Sequence, residues 1–486
     1  MTIAIYTLGC KLNQLESESI ADAFKQKEFT VIPGGESLFI RSKDSENPIS
    51  GILDDIILFI VNTCTVTSKS EQKARRIIRR ALRDVSNSAV LVTGCYAQMD
   101  SLESLADSRL FVIPQDQKNR ILELPAFLRS QGMQTVDSGN SGSLKSLQLL
   151  LAAWTAGIKD PNTGKDLPEN TGSSFCYIPG HFTFHSRAFI KIQDGCDNLC
   201  SYCRVPLARG KSRSRQAEQV LEILQDLEEK GFAEAVLTGV NISQYKSRAG
   251  NSFFDLPLLL DYLLSQTGKI RLRLSSIEPE VFGPDFFRVV SNPRIRPHFH
   301  ISLQSGSPEV LRRMKRNYTP AFVRENIRLL RSVKTDPFLG CDIITGFPGE
   351  TRDDFAHTRD FLEETEFAGI HVFPFSRRPG TEAWDYRDRI PEKETGNRTA
   401  ELIALAGKLR TGYIERWTGK IVEAAAENQP PQPESGLLVP ALSENYLKLL
   451  VSAKNGIPKP AKLLKCRITG KANGKFDAYA DIVIYV

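Results

Sequence analysis

The sequence predicts a multidomain α/β protein: an N-terminal domain with a small parallel sheet, a central partial (βα)6 barrel, and a small C-terminal β-barrel. Three observations lead to this prediction. In the centre, six β-rich runs alternate with helical segments, and near the N-terminus short apolar strands alternate with helical segments at roughly Glu16–Gln26, Ser70–Arg83 and Asp100–Ala106. The tail then changes to four β-rich runs separated by Pro- and Gly-bearing turns: Val422–Ala426, Tyr446–Val451, Leu463–Thr469 and Asp477–Val486.

Changes in composition set the expected boundaries. The N-terminal domain covers residues 1–135, a linker or insertion covers 136–180, the barrel covers 181–415, and the C-terminal domain covers 416–486. The linker is rich in Gly, Ser, Asn and Pro and surrounds one apolar segment, Leu147–Ala153. A similar polar stretch, Gly34–Gly51, is predicted to be a surface loop.

Three apolar strands of the N-terminal domain each end just before a cysteine. The strands are Ile3–Tyr6, Ile56–Val61 and Ala89–Val92, and the cysteines are Cys10, Cys64 and Cys95. Because parallel strands end at one edge of a sheet, we expect the three thiols to converge there. Three thiolates can hold three irons of a [4Fe–4S] cluster and leave the fourth iron open. The alternative is three unrelated buried thiols.

A second group of three cysteines lies close together in the string GCDNLCSYC. Cys196, Cys200 and Cys203 are separated by three residues and then by two. A zinc site needs a fourth protein ligand, and no Cys or His follows within several dozen residues. The spacing therefore favours a second [4Fe–4S] cluster with an open iron over a structural group of buried thiols.

The central region predicts an open barrel. Its six β-rich runs are Ala188–Ile192, Ala235–Thr238, Ile270–Leu274, His298–Leu303, Cys341–Ile344 and His371–Phe375. Six strands are too few to close an eight-stranded barrel. The site is expected at the carboxyl ends of the strands, and the loop of Cys196 follows the first of them.

The charge balance permits a polyanionic partner without requiring one. The net charge is +6, and Arg209, Lys211, Arg213 and Arg215 form a dense basic cluster. This cluster is predicted to contact RNA phosphates or the carboxylate of a cofactor, and the alternative is an exposed charged loop. A second basic segment, Lys73–Arg83, fits an RNA contact and a solvated helix face equally well.

The compartment is expected to be the cytoplasm. Nine cysteines, six of them placed for metal, indicate a reducing environment rather than a disulfide framework. No apolar run approaches the length of a membrane span, so no membrane partner is expected.

The motifs resemble those of a known enzyme family. The strings TLGCKLNQ, VNTCTVTSKSEQKARR and TGCYAQ look like the N-terminal domain of the methylthiotransferases, and GCDNLCSYCRVPLARGKSRSR looks like their radical S-adenosylmethionine domain. TLGCKLNQLES, LTGVNISQY, LSSIEPE and HVFPFSRRPGT most resemble the branch acting on N6-threonylcarbamoyladenosine in tRNA. The resemblance covers nearly the whole chain.

The resemblance implies two [4Fe–4S] clusters and S-adenosylmethionine as cofactors. It makes the six cysteines the cluster ligands and places Tyr202 against the cofactor. Thr238 and Gly239 would bind the amino group of S-adenosylmethionine, and the methionine, ribose and adenine pockets would involve Ser275, Gln304 and Gly346. In place and length the tail resembles the TRAM domain, an RNA-binding module.

The resemblance also implies the reaction. One S-adenosylmethionine methylates a sulfur at the N-terminal cluster, and another yields a 5′-deoxyadenosyl radical that activates carbon 2 of the adenine. This scheme requires both clusters to open onto one cavity that admits a base from the tRNA anticodon loop. Its other partners are a sulfur source and an electron donor such as flavodoxin or ferredoxin.

Three alternatives stay open at this point. The substrate can be an isopentenyladenosine tRNA or a ribosomal protein, modified by the same chemistry. The chain can be a non-catalytic RNA-binding protein with iron–sulfur or zinc sites. A radical enzyme that only methylates is disfavoured by Cys10, Cys64 and Cys95, because simple methylation needs no sulfur-holding cluster.

Overall fold

The computed structural model describes residues 1–35, 38, 53, 55–100, 102–105, 107–133, 141–156, 175–185, 187–249, 252–427, 438–453, 458 and 462–485. The predicted surface loop at Gly34–Gly51 lies almost entirely outside the described residues, as do the polar flanks of the predicted linker. The chain forms two compact units. The first comprises Met1–Phe184 and Arg204–Lys211, and the second comprises His185–Cys203 and Ser212–Val486.

The first unit is a parallel sheet covered by helices. Its elements are β1 (Thr2–Thr7), α1 (Lys11–Lys25), β2 (Thr30–Pro33), β3 (Ile56–Thr63), α2 (Ser68–Asp84), β4 (Ala89–Gly94), α3 (Cys95–Met99), β5 (Leu110–Val112), α4 (Leu124–Ser130), α5 (Ser141–Ala156) and α6 (Val205–Arg209). The strand order is β2-β1-β3-β4-β5, and every pairing is parallel. β3 is central and buried throughout, which explains its continuous apolar sequence.

Two apolar clusters fill the space on either face of this sheet. Ile3 and Ile5 of β1 belong to one cluster, whereas Ala4 and Tyr6 belong to the other, as the alternation of a strand requires. The apolar segment Leu147–Ala153, expected inside a linker, is part of α5, and Leu147, Leu151 and Trp154 pack in the first cluster. The sequence prediction therefore missed a core helix because polar segments surround it.

The three predicted cysteine-bearing strands are confirmed, but one predicted helix is wrong. The segment Asp100–Ala106 was expected to be helical, whereas α3 begins at Cys95 and ends at Met99. The Asp100 side chain accepts a hydrogen bond from the Leu102 backbone N–H, which turns the chain out of the helix. Among the described residues of this segment, Glu103–Leu105 form a 3-10 turn.

The second unit begins with the predicted open barrel. Its elements are β6 (Ala188–Lys191), β7 (Gln193–Asp194), β8 (Arg213–Ser214), α7 (Ala217–Glu229), β9 (Glu234–Thr238), β10 (Ser247–Ala249), β11 (Ser252–Phe254), α8 (Leu256–Gln266), β12 (Arg271–Leu274), β13 (Ser276–Ile277), α9 (Pro284–Val290), β14 (His298–Gln304), α10 (Pro308–Arg313), α11 (Pro320–Val333), β15 (Phe338–Thr345), α12 (Arg352–Thr365), β16 (Gly369–Pro374) and α13 (Glu392–Trp417). Two parallel sheets, β12-β9-β6 and β13-β14-β15-β16, are continuous in sequence through Ser275. All six predicted strands are present, and the expected fold class is confirmed.

The tail forms a closed five-stranded barrel. Its strands are β17 (Ile421–Ala426), β18 (Leu438–Ser443), β19 (Lys448–Ser452), β20 (Leu463–Lys471) and β21 (Ala478–Tyr485), in the order β17-β18-β19-β21-β20. The four β-rich runs expected from the sequence correspond to β17, β19, β20 and β21. Strand β18 was not predicted. This strand contains Pro440, a residue that normally argues against a strand.

A buried ionic cluster joins this tail barrel to the open barrel. Glu234 of β9 accepts hydrogen bonds from Arg273 at 2.6 and 2.9 Å and from Arg296 at 2.9 Å. Arg296 also donates to Glu423 of β17 at 2.7 Å. Burial alone raises the pKa of Glu234, but the two arginines outweigh burial and lower the pKa to about 2.

Candidate metal centres

The first cysteine site, Cys10, Cys64 and Cys95, lies at the carboxyl ends of adjacent parallel strands. Cys10 immediately precedes α1, Cys64 follows β3, and Cys95 is the first residue of α3. Two of these cysteines, Cys10 and Cys95, therefore lie at helix N-termini. The topology brings the three cysteines to one edge of the sheet, as their sequence positions predicted.

Glycines allow the cysteine-bearing segments to approach each other. Gly9 has φ +101°, and a Cβ atom there would lie 2.7 Å from the Cβ and 2.8 Å from the Sγ of Cys64. Gly94 has φ +97°, and a Cβ atom there would lie 2.4 Å from the Thr63 backbone oxygen. Both positions therefore require glycine, for conformation and for space.

The three thiols affect each other electrostatically. Burial, and then the neighbouring charges of Cys10 and Cys95, raise the pKa of Cys64 to about 12. Burial also raises the pKa of Cys95, and Arg209 opposes this shift. Thiols in such surroundings become thiolates when a cation binds them, so this donor set fits a metal centre and not a free thiol pair.

A buried hydrogen-bond network holds the backbone around the first cysteine site. The Asn13 side chain donates to the backbone oxygens of Leu8 and Thr63, at 2.7 and 2.8 Å. The Asn62 side chain donates to the Asn13 backbone oxygen at 2.9 Å. Two asparagines thus connect the segments that carry Cys10 and Cys64.

Arg209 connects the third segment to this network. Its Nε donates to the Cys95 Sγ at 3.2 Å, and its guanidinium also donates to Asn13 at 2.8 Å and to Glu16 at 3.1 Å. The Glu16 Oε2 also accepts a hydrogen bond from Lys118, and the side chains of Glu16 and Lys118 are fully buried. Two cations and one carboxylate thus lie beside the thiols, which matches an anionic thiolate–iron group.

The second cysteine site, Cys196, Cys200 and Cys203, lies on the loop between β7 and Ser212. The Asn198 backbone N–H donates to the Cys196 Sγ at 3.4 Å, and the Cys203 N–H donates to the Cys200 backbone oxygen at 3.1 Å. Burial raises the pKa of Cys196 and Cys200 above the ordinary value. This loop supplies three clustered thiols from one short segment.

Arg316 occupies the place in this site that Arg209 occupies in the first. It donates to the Cys200 Sγ at 3.1 Å and to the Ser302 backbone oxygen at 2.8 Å. It also forms an ion pair with Glu278. Burial raises the pKa of Glu278 to about 7, against the opposing charge of Arg316.

The predicted cofactor contacts lie on the second unit around this loop. Tyr202 packs edge-on against Phe347, with ring centroids 6.5 Å apart. Thr238 and Ser275 are buried, and their hydroxyl groups have no hydrogen-bond partner among the described residues. Unpartnered buried hydroxyls at strand ends fit a site for a polar ligand such as S-adenosylmethionine.

The other three predicted cofactor residues differ in their contacts and in their backbone conformation. A Cβ atom on Gly239 would lie 2.8 Å from the Gln193 side chain, so glycine is needed for close packing there. Gln304 has φ +67°, a strained conformation at a strand end that is common at functional sites. Gly346 packs on Thr395 and donates its N–H to Glu350 at 2.8 Å, and these contacts explain its position without a ligand.

The predicted basic cluster divides into two pairs. Lys211 and Arg213 are exposed and remain available to phosphates. The Arg209 side chain is only 2% exposed, and Arg215 is buried and donates to the Lys191 backbone oxygen at 2.9 Å. The prediction of RNA contact for Arg209 and Arg215 therefore has no support in their positions.

Sequence analysis missed the charged residues beside the thiols. Lys118 and Arg316 lie far in sequence from the nearby cysteines, whereas Glu16 follows Cys10 in the string TLGCKLNQLES and Glu278 lies in the string LSSIEPE. The residues next to them in the sequence are typical of charged positions on amphipathic segments. No spacing rule could have identified them, because only the folded topology brings them to the sulfur atoms.

Two protein families match parts of this chain. Residues 190–362 match the Radical SAM superfamily, and residues 53–112 match the uncharacterized protein family UPF0004. The first match includes the second cysteine site, and the second includes Cys64 and Cys95.

Curated relatives align over most of the chain. The "Threonylcarbamoyladenosine tRNA methylthiotransferase MtaB" of Treponema pallidum is 40% identical, covering 95% of this chain and 96% of the relative. The protein of the same name from Bacillus subtilis is 31% identical, covering 92% of this chain and 90% of the relative. The "tRNA-2-methylthio-N(6)-dimethylallyladenosine synthase" of Parabacteroides distasonis is 29% identical, covering 87% and 84%. The chain therefore belongs to the methylthiotransferase family of radical S-adenosylmethionine enzymes.

Proposed function

We propose that this enzyme converts N6-threonylcarbamoyladenosine, next to the anticodon of tRNA, into its 2-methylthio derivative. The observation that carries the proposal is the presence of two three-cysteine groups in a chain 40% identical to a threonylcarbamoyladenosine tRNA methylthiotransferase. Two relatives named for dimethylallyladenosine are 29% and 28% identical, below the 40% of the Treponema pallidum relative. This difference favours the threonylcarbamoyl substrate.

Each cysteine site would hold one [4Fe–4S] cluster with an open iron. The second site, with Cys196, Cys200 and Cys203, is the one that the radical superfamily implies, and the first site is our extension. When bound, the two clusters and S-adenosylmethionine would supply the radical that removes the hydrogen from carbon 2 of adenine and the methylthio group that takes its place.

The protein side chains have positioning roles in this proposal. Arg209 and Arg316 each donate a hydrogen bond to one cluster ligand, Cys95 and Cys200 respectively, and so hold that sulfur in place. The Thr238 and Ser275 hydroxyls and the Gln304 segment provide polar contacts for S-adenosylmethionine. Tyr202 closes one side of the same site.

Helix α2 supplies the best surface for the tRNA backbone. A surface cavity of about 600 Å³ runs along it, lined by Gln72, Arg75, Arg76, Arg79, Arg80 and Arg83. Arg76, Arg79 and Arg83 are exposed on one stripe, whereas Ile77 and Ile78 are buried in the core. A row of exposed arginines neutralises phosphates, so we expect tRNA affinity to fall steeply with salt.

The tail barrel is the second RNA surface in this proposal. It would be a TRAM domain, as its place and its closed five-stranded form suggest. Lys448, Lys465, Arg467 and Lys471 are exposed on its strands. Few aromatic side chains accompany them, so the contact would be to phosphates and not to stacked bases.

The remaining partners follow from the chemistry. The reaction needs an external electron donor, such as flavodoxin or ferredoxin, and a source of sulfur. No helix in the described part of the chain is long and apolar enough to cross a membrane. We place the enzyme in the cytoplasm, where free thiols stay reduced and tRNA is modified.

Anaerobic reconstitution of three variants tests the proposal. The wild type should bind about eight irons and give the 2-methylthio nucleoside from threonylcarbamoyl tRNA. Cys64→Ala should keep about four irons and form 5′-deoxyadenosine without methylthiolation, whereas Cys203→Ala should lose both products. Cys176→Ala, an exposed cysteine in the first unit, is the matched control.

Two outcomes would reject the proposal. If Cys64→Ala methylthiolates tRNA as the wild type does, the first cysteine site has no part in the reaction. If the wild type modifies isopentenyladenosine tRNA and leaves threonylcarbamoyl tRNA unchanged, the assigned substrate is wrong. Zinc in place of iron would favour a non-catalytic RNA-binding protein.

A further inference from the structure

Three polar side chains meet on neighbouring strands of the open barrel. His300 lies on β14, Asp342 on β15 and His371 on β16. The His300 Nε2 is 3.0 Å from the Asp342 Oδ2, and the His371 Nδ1 is 3.1 Å from the Asp342 Oδ1. The centroids of the two imidazole rings are 5.1 Å apart. One carboxylate thus holds two histidine rings side by side.

The three side chains share one face of the sheet. Asp342 and His371 are paired in register, and His300 lies across from Gly340 on the adjacent strand. Their sequence neighbours Ile301, Cys341 and Ile343 are fully buried on the opposite face. The face that carries the histidines is open, since the His371 side chain is 64% exposed and Phe373, two residues further along β16, is 37% exposed.

A chain of contacts relates this face to the second cysteine site. The backbone oxygen of Ser302, two residues from His300 on β14, accepts a hydrogen bond from Arg316 at 2.8 Å. Glu278 pairs with Arg316, which donates to the Cys200 Sγ at 3.1 Å. The histidine face and the second cysteine site therefore belong to the same part of the open barrel.

The arrangement is prepared for a polar ligand. Burial raises the pKa of Asp342, but hydrogen bonds and charges from His300 and His371 outweigh burial and hold the pKa well below its usual range. The ionised carboxylate fixes the His371 ring through Nδ1 and leaves Nε2 directed elsewhere. Phe373, with its ring centroid 6.4 Å from that of His371, adds an exposed aromatic surface.

We propose that His300, Asp342, His371 and Phe373 form the surface that receives the target adenosine. The aromatic rings contact the displaced base, and His371 Nε2 hydrogen-bonds its polar N6 substituent. A threonylcarbamoyl group carries a carboxylate, a hydroxyl and amide groups for such a bond, and a dimethylallyl group carries none. The inference rests on the proposed function and names the residues that select its substrate.

A divalent cation is the competing occupant. One ligand atom from each of His300, Asp342 and His371 lies within 4.8 Å of the others. Two imidazoles and a carboxylate are common ligands of first-row metals. However, the ring nitrogens that face each other are already hydrogen-bonded to Asp342, and the open face and Phe373 fit an organic ligand better than an ion.

The test uses the reconstituted full-length enzyme and two anticodon stem–loops, one with N6-threonylcarbamoyladenosine and one with unmodified adenosine. We expect the wild type to bind the modified stem–loop more tightly. His371→Ala should lose roughly tenfold in affinity for the modified stem–loop and little for the unmodified one. His371→Gln, which keeps a donor, should recover part of the preference. His357→Ala, an exposed histidine on α12, is the matched control and should behave as the wild type.

The outcomes separate this inference from the proposed function. If the wild type fails to methylthiolate threonylcarbamoyl tRNA, the proposed function is rejected, and this inference is rejected with it. If the wild type succeeds and His371→Ala keeps the full preference for the modified stem–loop, this inference alone is rejected. Metal analysis tests the competing occupant. If the wild type binds a metal outside the clusters and His371→Ala loses it, the surface is a metal site and the inference of an adenosine surface is rejected.

Discussion

The two cysteine sites differ in how the fold builds them. The second takes Cys196, Cys200 and Cys203 from one loop, whereas the first takes Cys10, Cys64 and Cys95 from three strand ends. Despite this difference, each site places one arginine on one sulfur and backs that arginine with a carboxylate, Glu16 or Glu278. The comparison shows that the same arginine–carboxylate arrangement accompanies thiols from one loop and thiols from three strand ends.

The difference has a physical consequence for stability. A loop can keep its thiols together while distant elements shift, but the first site depends on the pairing of β1, β3 and β4. Its second cation, Lys118, comes from yet another segment and is fully buried. Perturbing the sheet should therefore remove iron from the first site before the second.

The largest expected effect comes from Gly94→Ala. A Cβ atom there would lie 2.4 Å from the Thr63 backbone oxygen, at a residue with φ +97°. We expect the first site to fail and the iron content to fall from about eight to about four per chain. Gly132→Ala is the control, because Gly132 has φ +79° with nothing within 4 Å. Equal iron loss in both variants would show that backbone strain alone, and not crowding at Cys95, decides the result.

A third arginine–carboxylate cluster provides a comparison without sulfur. Glu234 binds Arg273 and Arg296 and contacts no cysteine in the described hydrogen bonds. Glu234→Gln removes the carboxylate that the fully buried Arg273 binds and leaves Arg296 with Glu423, so we expect a loss of about 3–5 kcal/mol in stability. Iron content in the folded fraction should stay at the wild-type value. The melting temperature and iron analysis of the same sample measure both, and iron loss would contradict a purely structural role.

Acid should weaken the same cluster. The pKa of Glu234 is lowered from 4.5 to about 2, so its contribution to stability is fully present above pH about 4.5 and declines as the pH falls toward 2. This shift corresponds to roughly 3 kcal/mol. The free energy of unfolding is measured by urea unfolding between pH 6 and pH 3 (about the range of the shift), with the fluorescence of the tail barrel as the signal. In Glu234→Gln the decline should be smaller, and an identical decline would mean that other carboxylates account for it.

The extent of sequence prediction follows the same distinction between local and distant contacts. GCDNLCSYC revealed the second cysteine site directly, because its spacing is contained in one string. The first site required the inference that three strands are parallel and adjacent, and the sheet order confirms that inference. Strand β18 was not predicted because it contains Pro440, a residue that is rare inside strands. Helix α5 was not predicted because the polar segments on either side of it resemble a linker.

The arginines show where prediction from sequence stops. Arg209 lies in a dense basic string, and its composition suggested a phosphate contact. Folding instead buries it between Cys95 and Glu16. Arg316, with an equivalent role, has no comparable signal in sequence. A charged residue's role depends on what surrounds it, and those neighbours are distant in the chain.

The smallest expected effect tests whether the two arginines are equivalent. Arg209→Lys and Arg316→Lys keep the charge but lose the planar guanidinium that contacts sulfur and carboxylate together. We expect each variant to retain its iron and to lose about 10- to 100-fold in methylthiolation, which is typical of residues that orient metal ligands. Arg312→Lys, an exposed residue paired with Glu309, is the control.

Spectroscopy assigns each effect to its site. Arg209→Lys should shift the reduction potential of the cluster at Cys10, Cys64 and Cys95 alone, and Arg316→Lys should shift only the cluster at Cys196, Cys200 and Cys203. Potentiometric titration followed by electron paramagnetic resonance, with Cys64→Ala and Cys203→Ala as single-cluster references, measures both potentials. If either variant loses activity while both potentials keep their wild-type values, its arginine acts on folding or on another ligand and not on the sulfur. A shift in only one of the two variants would break the equivalence, and would mean that the loop-built and the sheet-built sites control their sulfur atoms by different means.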